Sequence, residues 1–189
     1  MIYVTSDLHF GHGNVIKFDN RPFQNVEEMD RALIALWNNT VLQKDTVYIL
    51  GDLSWYKGEK TNNILKQLHG KKFLIVGNHD KKFLDDPEFN RSLFAGIYDY
   101  FELKENHVRY VMFHYPIADF HGKQGGAIHL YGHIHNTNLQ LEESLEHSYN
   151  VGAVRHNYMP IKLEYFHELE LSKRHAEFNE EESSAEELE

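Results

Sequence analysis

The chain has 189 residues, 41% hydrophobic and 25% charged, with no cysteine and a formal net charge of −10. That length and composition suit one soluble domain with its own core, and the missing cysteines exclude disulfides, thiolate metal sites and a cysteine nucleophile. The acidic balance argues against a nonspecific nucleic-acid binder, although bound divalent cations can reverse the sign of a pocket for an anionic substrate.

The opening "MIYVTSDLHF" carries no basic leader, and no run of 18 apolar residues follows, so a cytoplasmic protein that avoids the membrane is expected. Within it "IYVTS" (2–6) reads as a short buried strand. "GHGNVIKF" is a loop entering a helical turn. "NVEEMDRALIALWNNTV" (25–41) has Val26, Met29, Leu33, Leu36 and Trp37 at helical spacing, Asn25 placed to cap and acids in the first turn. "DTVYILGD" (45–52) is a second strand, "EKTNNILKQLHG" (59–70) a second helix with Gly70 past its end, and "KFLIVGNHD" a third strand. Strand, helix, strand, helix, strand predicts parallel βαβ units.

Beyond residue 97, "IYDYFEL" and "VRYVMFH" around "KENH" predict an antiparallel hairpin, and "AIHLYGHIH" and "HSYNVGA" add two short strands. "PIKLEYFHELELSKRHAEFNEEE" reads as a C-terminal helix with Pro160 near its start. No linker divides residues 1–176, so they are read as one domain, with 177–189 an acidic tail or helix end that could include a cloning scar at Leu188-Glu189. That segment holds seven Glu and no Lys or Arg, and removing its charge from −10 leaves −3 for the body.

Five apolar strands end in the same chemistry: "SDLH" (Asp7, His9), "LGD" (Asp52), "VGNHD" (Asn78, His79, Asp80), "MFH" (His114) and "YGHIH" (His133, His135). The carboxyl ends of strands in an open α/β sheet are where ligands bind, so residues far apart in sequence can converge there. Oxygen and imidazole donors without sulfur suit Mn, Fe, Zn or Ni. In "DLH" and "HIH" the donors are two apart, which on a strand puts them on one face. Gly51, Gly77 and Gly132 each precede a candidate ligand and would permit a sharp turn. Each block alone has an ordinary reading as a turn or an edge histidine. Five of them, all at strand ends, favour a site.

This series resembles the calcineurin-like metallophosphoesterase superfamily over roughly residues 1–163, although its fourth block reads "FHYP" where Gly-His is commoner. The resemblance implies an α/β fold, an αββα sandwich of two mixed β-sheets flanked by helices, with two divalent transition-metal ions at one edge. Asp7, His9 and His135 would bind the first ion, Asn78, His114 and His133 the second, and Asp52 both. His79 would reach the phosphate or leaving oxygen, oriented by Asp80. Mn is the favoured activator among Mn, Fe, Zn and Ni. Two ions roughly 3.5–4 Å apart would generate a bridging hydroxide for in-line attack on phosphorus.

The expected substrate is a small phosphodiester and not a large nucleic-acid duplex, since the chain lacks a basic stripe and an extra capping domain. A phosphomonoesterase, a non-catalytic metal-dependent scaffold and a mononuclear site are the alternatives. Arg21, Arg155 and His12 lie near site-bearing loops and are candidate substrate contacts, the arginines as bidentate phosphate ligands. "HYPIADFHGKQGG" (114–126), between two candidate ligands, is expected to shape the pocket.

Overall fold

Three of the predicted strands pair in parallel, β1 (Ile2–Thr5) with β2 (Thr46–Ile49) and β2 with β3 (Lys71–Ile75), in the computed structural model, which describes residues 1–137 and 139–186. After β1 the chain makes a short helix, α1 (Gly13–Phe18), and then α2 (Val26–Thr40), whose N-cap Asn25 accepts the Glu28 N–H at 2.9 Å. Helix α3 (Gly58–Gln67) connects β2 to β3. Successive strand residues face opposite ways. Tyr3, Val47, Ile49 and Leu74 therefore pack outward against Met29, Leu33 and Trp37 of α2 and Ile64 and Leu65 of α3. Each fully buried side chain such as Leu33 or Met29 contributes about 1.5–3 kcal/mol.

Val4, Tyr48, Leu50 and Ile75 face inward, toward Tyr110, Met112, Ile128 and Leu130 of a second sheet. That sheet contains β5 (Tyr100–Glu105), β6 (Val108–Phe113), β7 (Ile128–Tyr131) and β8 (Ser148–Asn150), in that order. The predicted hairpin is β5–β6, its turn made by Asn106 and His107 at φ 48° and 66°. Both β6–β7 and β7–β8 are parallel. The result is two mixed sheets face to face, with α2 and α3 on the outer side of the first and Glu142 of the short α5 (Leu139–Glu143) accepting the Tyr131 hydroxyl of the second at 3.3 Å.

Three expectations need correction. "IYDYFEL" is not one strand: β4 (Gly96–Tyr98) extends the first sheet beside β3, and the chain crosses at Asp99 to start β5 in the second. Pro160 does not start the last helix. It precedes β9 (Ile161–Lys162), which pairs antiparallel with β1 and completes the order β4-β3-β2-β1-β9. Helix α6 starts at Leu163 and runs to Glu186, so most of the acidic segment continues the helix, and residues 187–189 with the suggested scar lie outside the described residues. Third, the 114–126 segment mainly covers the outer face of the second sheet, where Ile117 and Phe120 pack on Val111 and Ala127. No helix among the described residues is long and apolar enough to cross a membrane.

Candidate metal centre

The five blocks of candidate ligands meet at one edge of the sandwich because β1, β2 and β3 are parallel and so are β6 and β7. A Ser6–Gly152 bridge ties the two sheets at this edge. Beyond the strands the first two loops remain hydrogen-bonded: Asp7 N to Gly51 O, His9 N to Asp52 O and Phe10 N to Leu53 O, each at 3.0 Å.

The donors do not sit on strands, as the two-residue spacing suggested. Asp7, His9, Asp52, His133 and His135 have φ of 55°, 56°, 53°, 70° and 46°, the left-handed region that Asp and His enter more readily than most residues. Left-handed turns, not the pleat, bring each pair onto one side. Close approach also explains two glycines. A Cβ on Gly77 would collide with Asp52, and one on Gly132 with Asp7 and Ser6.

In the first group Asp7 and His135 each have one side-chain atom occupied, which leaves the other facing inward. Asp7 Oδ2 accepts the Ser6 hydroxyl at 2.7 Å and the His133 N–H at 3.0 Å, while Oδ1 is buried with no partner. His135 directs Nδ1 at Asp19, 2.8 Å away, so its neutral ring presents a bare Nε2, 3.1 Å from His9 Nε2 and 3.6 Å from Asp7 Oδ1. In the second group His114 gives its Nδ1 proton to the Leu50 carbonyl at 2.8 Å, leaving Nε2 2.9 Å from the Asn78 carbonyl oxygen. That oxygen is also 3.0 Å from His133 Nδ1.

Asp52 lies between the groups. Its Oδ2 is 3.8 Å from His9 Nε2 and 3.7 Å from His114 Nε2, and its Oδ1 accepts the His79 N–H at 2.9 Å. Donor atoms of Asp7, His9 and His135, and of Asp7, Asp52 and His114, lie within 4.8 Å of one another. A buried carboxylate oxygen without a donor, and lone pairs facing lone pairs, are unfavourable unless a cation lies between them. The residues fit divalent metal.

The electrostatics agree. Burial, with His135 and Arg21 adding to it, holds His9 well below the usual imidazole range, so its lone pair stays available. Burial also lowers His133, with His114 contributing. Asp7 is raised by burial, against the opposing pull of His114, His135 and Ser6, a penalty that a bound cation would reverse. His135 behaves differently. Burial lowers it, but the Asp19 hydrogen bond and the charges of Asp7 and Asp19 raise it overall.

Asp80 is not positioned to orient His79, as the resemblance implied. Its carboxylate accepts the N–H groups of Gly77 at 2.8 Å, Asp52 at 3.0 Å and Leu53 at 2.9 Å. It is fully buried, and burial, with Asp52 adding, pushes it up to about 7 against those donors. Asp80 therefore clamps the Asp52 loop to the Asn78 loop. His79 stands at the rim, its Nε2 3.9 Å from Asp52 Oδ2 and its ring 4.7 Å from that of Trp55.

Both candidate arginines are engaged by protein groups. Arg21 is buried, with Nε and Nη2 donating to Asp19 at 3.1 and 3.0 Å and with Nη1 and Nη2 donating to the Leu8 and Asp7 carbonyls. Arg155 donates Nε to the His135 carbonyl at 2.6 Å and pairs Nη1 with Glu142 at 2.8 Å. Both hold the ligand loops. His12 is half-buried on the rim, with its Nδ1 accepting the Val15 N–H at 2.9 Å.

The sequence reading missed Asp19, which couples His135 to Arg21, and the rim residues Trp55 and Tyr115. Tyr115 lies 4.6 Å, ring to ring, from His133 and 5.0 Å from His114, so beside the candidate ligand His114 it ties the start of the 114–126 segment to the centre. The Asp-x-Arg spacing in "FDNRPF" was a signal for Asp19. Nothing local marked the two aromatic residues.

The family described as calcineurin-like phosphoesterase matches residues 1–182. An uncharacterized protein of Methanocaldococcus jannaschii is 37% identical over 168 residues, covering 86% of this chain and 87% of its own. The gene 66 protein of Mycobacterium phage D29 is 29% identical over 160 residues, covering 71% and 78%. Among solved structures, a protein of unknown function from Aquifex aeolicus superposes with a TM-score of 0.72 at 25% identity, covering 89% of this chain and 98% of its own.

Proposed function

The chain belongs to the calcineurin-like phosphoesterase family, and on that premise we propose that it hydrolyses a small phosphodiester at a binuclear metal centre. The family and the donor clusters together describe a metal-dependent phosphoesterase. The paired ions, their identity as Mn in preference to Fe, Zn or Ni, and the diester substrate are the proposal.

The observation that carries it is the convergence of seven donors on two adjoining groups with Asp52 between them. Asp7, His9 and His135 would hold one ion, Asn78, His114 and His133 the other, and Asp52 both. Divalent ions in such a site supply Lewis acidity toward phosphoryl oxygens and a lowered pKa for coordinated water. Asp80, Asp19 and Ser6 keep the donors aimed. His79, its side chain 40% exposed beside Asp52, is placed to give a proton to the leaving oxygen as the P–O bond breaks. Its loss is expected to cost about 10²–10⁴-fold in rate. Arg21 and Arg155 are each paired with a carboxylate, Asp19 and Glu142, which leaves them poorly placed to neutralise a dianionic monoester and favours the singly charged diester.

Hydrolysis of bis-p-nitrophenyl phosphate and p-nitrophenyl phosphate with Mn²⁺, alongside Asp52→Asn, tests this reading. Metal-dependent turnover of the diester, lost in the variant, is the expected result. Preference for the monoester would make the protein a phosphomonoesterase. Two bound ions without turnover on either ester would favour a scaffold, and failure to bind metal would overturn the reading.

A further inference from the structure

We propose that Lys82, laid over the indole of Trp55 at the mouth of the metal centre, is a specificity residue that selects esters whose leaving group carries an additional negative charge. This deepens the phosphoesterase reading and rests on it. Lys82 is the second residue of α4 (Lys81–Leu84), which follows directly on the Asp80 clamp, and its backbone N–H donates to the His79 carbonyl at 3.4 Å. Trp55 is held on the facing loop by its N–H to the Phe10 carbonyl at 2.7 Å. Both therefore ride on backbone that is tied to the proposed ligands.

The Lys82 Nζ lies 4.8 Å from the Trp55 ring centroid, and that ring lies 4.7 Å from His79 and 4.1 Å from His12. His79 is the group placed to protonate the leaving oxygen, so the ammonium stands on the leaving-group side. No carboxylate among the described residues comes within ion-pair distance of Lys82, whereas Arg21 and Arg155 are both paired. A lysine stem resting on an indole has less freedom to lose on meeting an anion. In a chain of net charge −10, one unpaired cation at the mouth decides which anions approach.

The test is calorimetric titration of the Mn²⁺-loaded protein with phosphonoacetate and with phosphonoacetamide, which differ by one charge at nearly constant shape. Wild type is expected to prefer phosphonoacetate by about 2- to 5-fold, the range for an exposed ion pair. Lys82→Gln should remove the preference, Lys82→Arg should keep it, and Lys81→Ala, the same charge change one residue away, should keep it too. A preference that survives Lys82→Gln, falls equally in Lys81→Ala, or is absent from wild type overturns the proposal. Turnover of bis-p-nitrophenyl phosphate on the same preparations separates the two readings. Turnover without a Lys82-dependent preference overturns the Lys82 assignment alone. A Lys82-dependent preference without turnover supports charge selection by Lys82 and fails the hydrolysis reading alone.

Discussion

Replacing Asp80 by Asn decides whether this carboxylate acts on Asp52 or on His79. The amide keeps one oxygen, enough for the Gly77 and Asp52 N–H groups, but turns an NH₂ toward the Leu53 N–H, which then has no acceptor. Losing a charge-assisted hydrogen bond costs about 1.5–3 kcal/mol, and an unsatisfied buried N–H about 1–3 kcal/mol more. Part is offset, because a buried carboxyl pushed up to about 7 already resists ionisation. A net loss of about 2–4 kcal/mol follows, which in a domain of this size lowers Tm by about 5–15 °C. With Asp52 no longer held, Mn²⁺ affinity should fall about 10–100-fold, as for other partners that orient a metal ligand. The assay pairs thermal unfolding of the metal-free protein with Mn²⁺ calorimetry, and His79→Ala serves as the reference that should change neither. An Asp80→Asn protein with unchanged Tm and Mn²⁺ affinity, but with the rate loss of His79→Ala and no further loss in the double variant, would refute the clamp.

Asp19→Asn should weaken binding of one Mn²⁺ by about 10–100-fold while sparing the other, because His135 alone among the proposed ligands depends on that carboxylate; equal weakening of both ions would count against the assignment. Arg21→Lys loses the forked contact to Asp19 and the carbonyls of Asp7 and Leu8, so stability should fall by about 1–3 kcal/mol with KM for the diester within about twofold; a large KM change at unaltered Tm would restore a substrate role. His129 is buried between the Val111 and Tyr115 carbonyls, and burial depresses it to about 4 from an ordinary 6.5. Its folded form resists the proton that the unfolded chain accepts, so its contribution is complete above about pH 6.5 and is lost as pH falls toward 4, about 3 kcal/mol in all. Denaturant titrations of wild type and His129→Gln across that window should diverge by this slope, and parallel curves would show that His129 is not the group responsible.

The convergence of the candidate blocks was legible because each couples a buried apolar strand to metal-type donors at its end, and parallel strands collect their ends at one edge. What escaped was tertiary. "IYDYFEL" has strand propensity throughout, and only the partners available on each side of Asp99 split it between sheets. The two residues of β9 are too few to show alternation before the helical pattern begins at Leu163. The target of Asp80 depends on three N–H groups from two loops, two of them 27 and 28 residues away, so adjacency to His79 misled. Arg21 and Arg155 were correctly placed near the site, but which side of the ligand loops each would occupy depended on Asp19 and Glu142.

The left-handed turns at Asp7, His9, Asp52, His133 and His135 have a mechanical consequence. A side chain held in such a conformation stores about 1–3 kcal/mol, so five together amount to about 5 kcal/mol or more, on the scale of a whole domain's net stability. The edge of the sandwich is thus a set of cocked springs, and the two sheets are the frame that keeps them drawn. Removing a ligand by writing glycine at one of these positions would release a spring, and the metal-free protein should unfold at a higher temperature for it. Sturdiness and the aim of the donors pull this backbone in opposite directions, and a divalent ion bound among them would offset the stored energy.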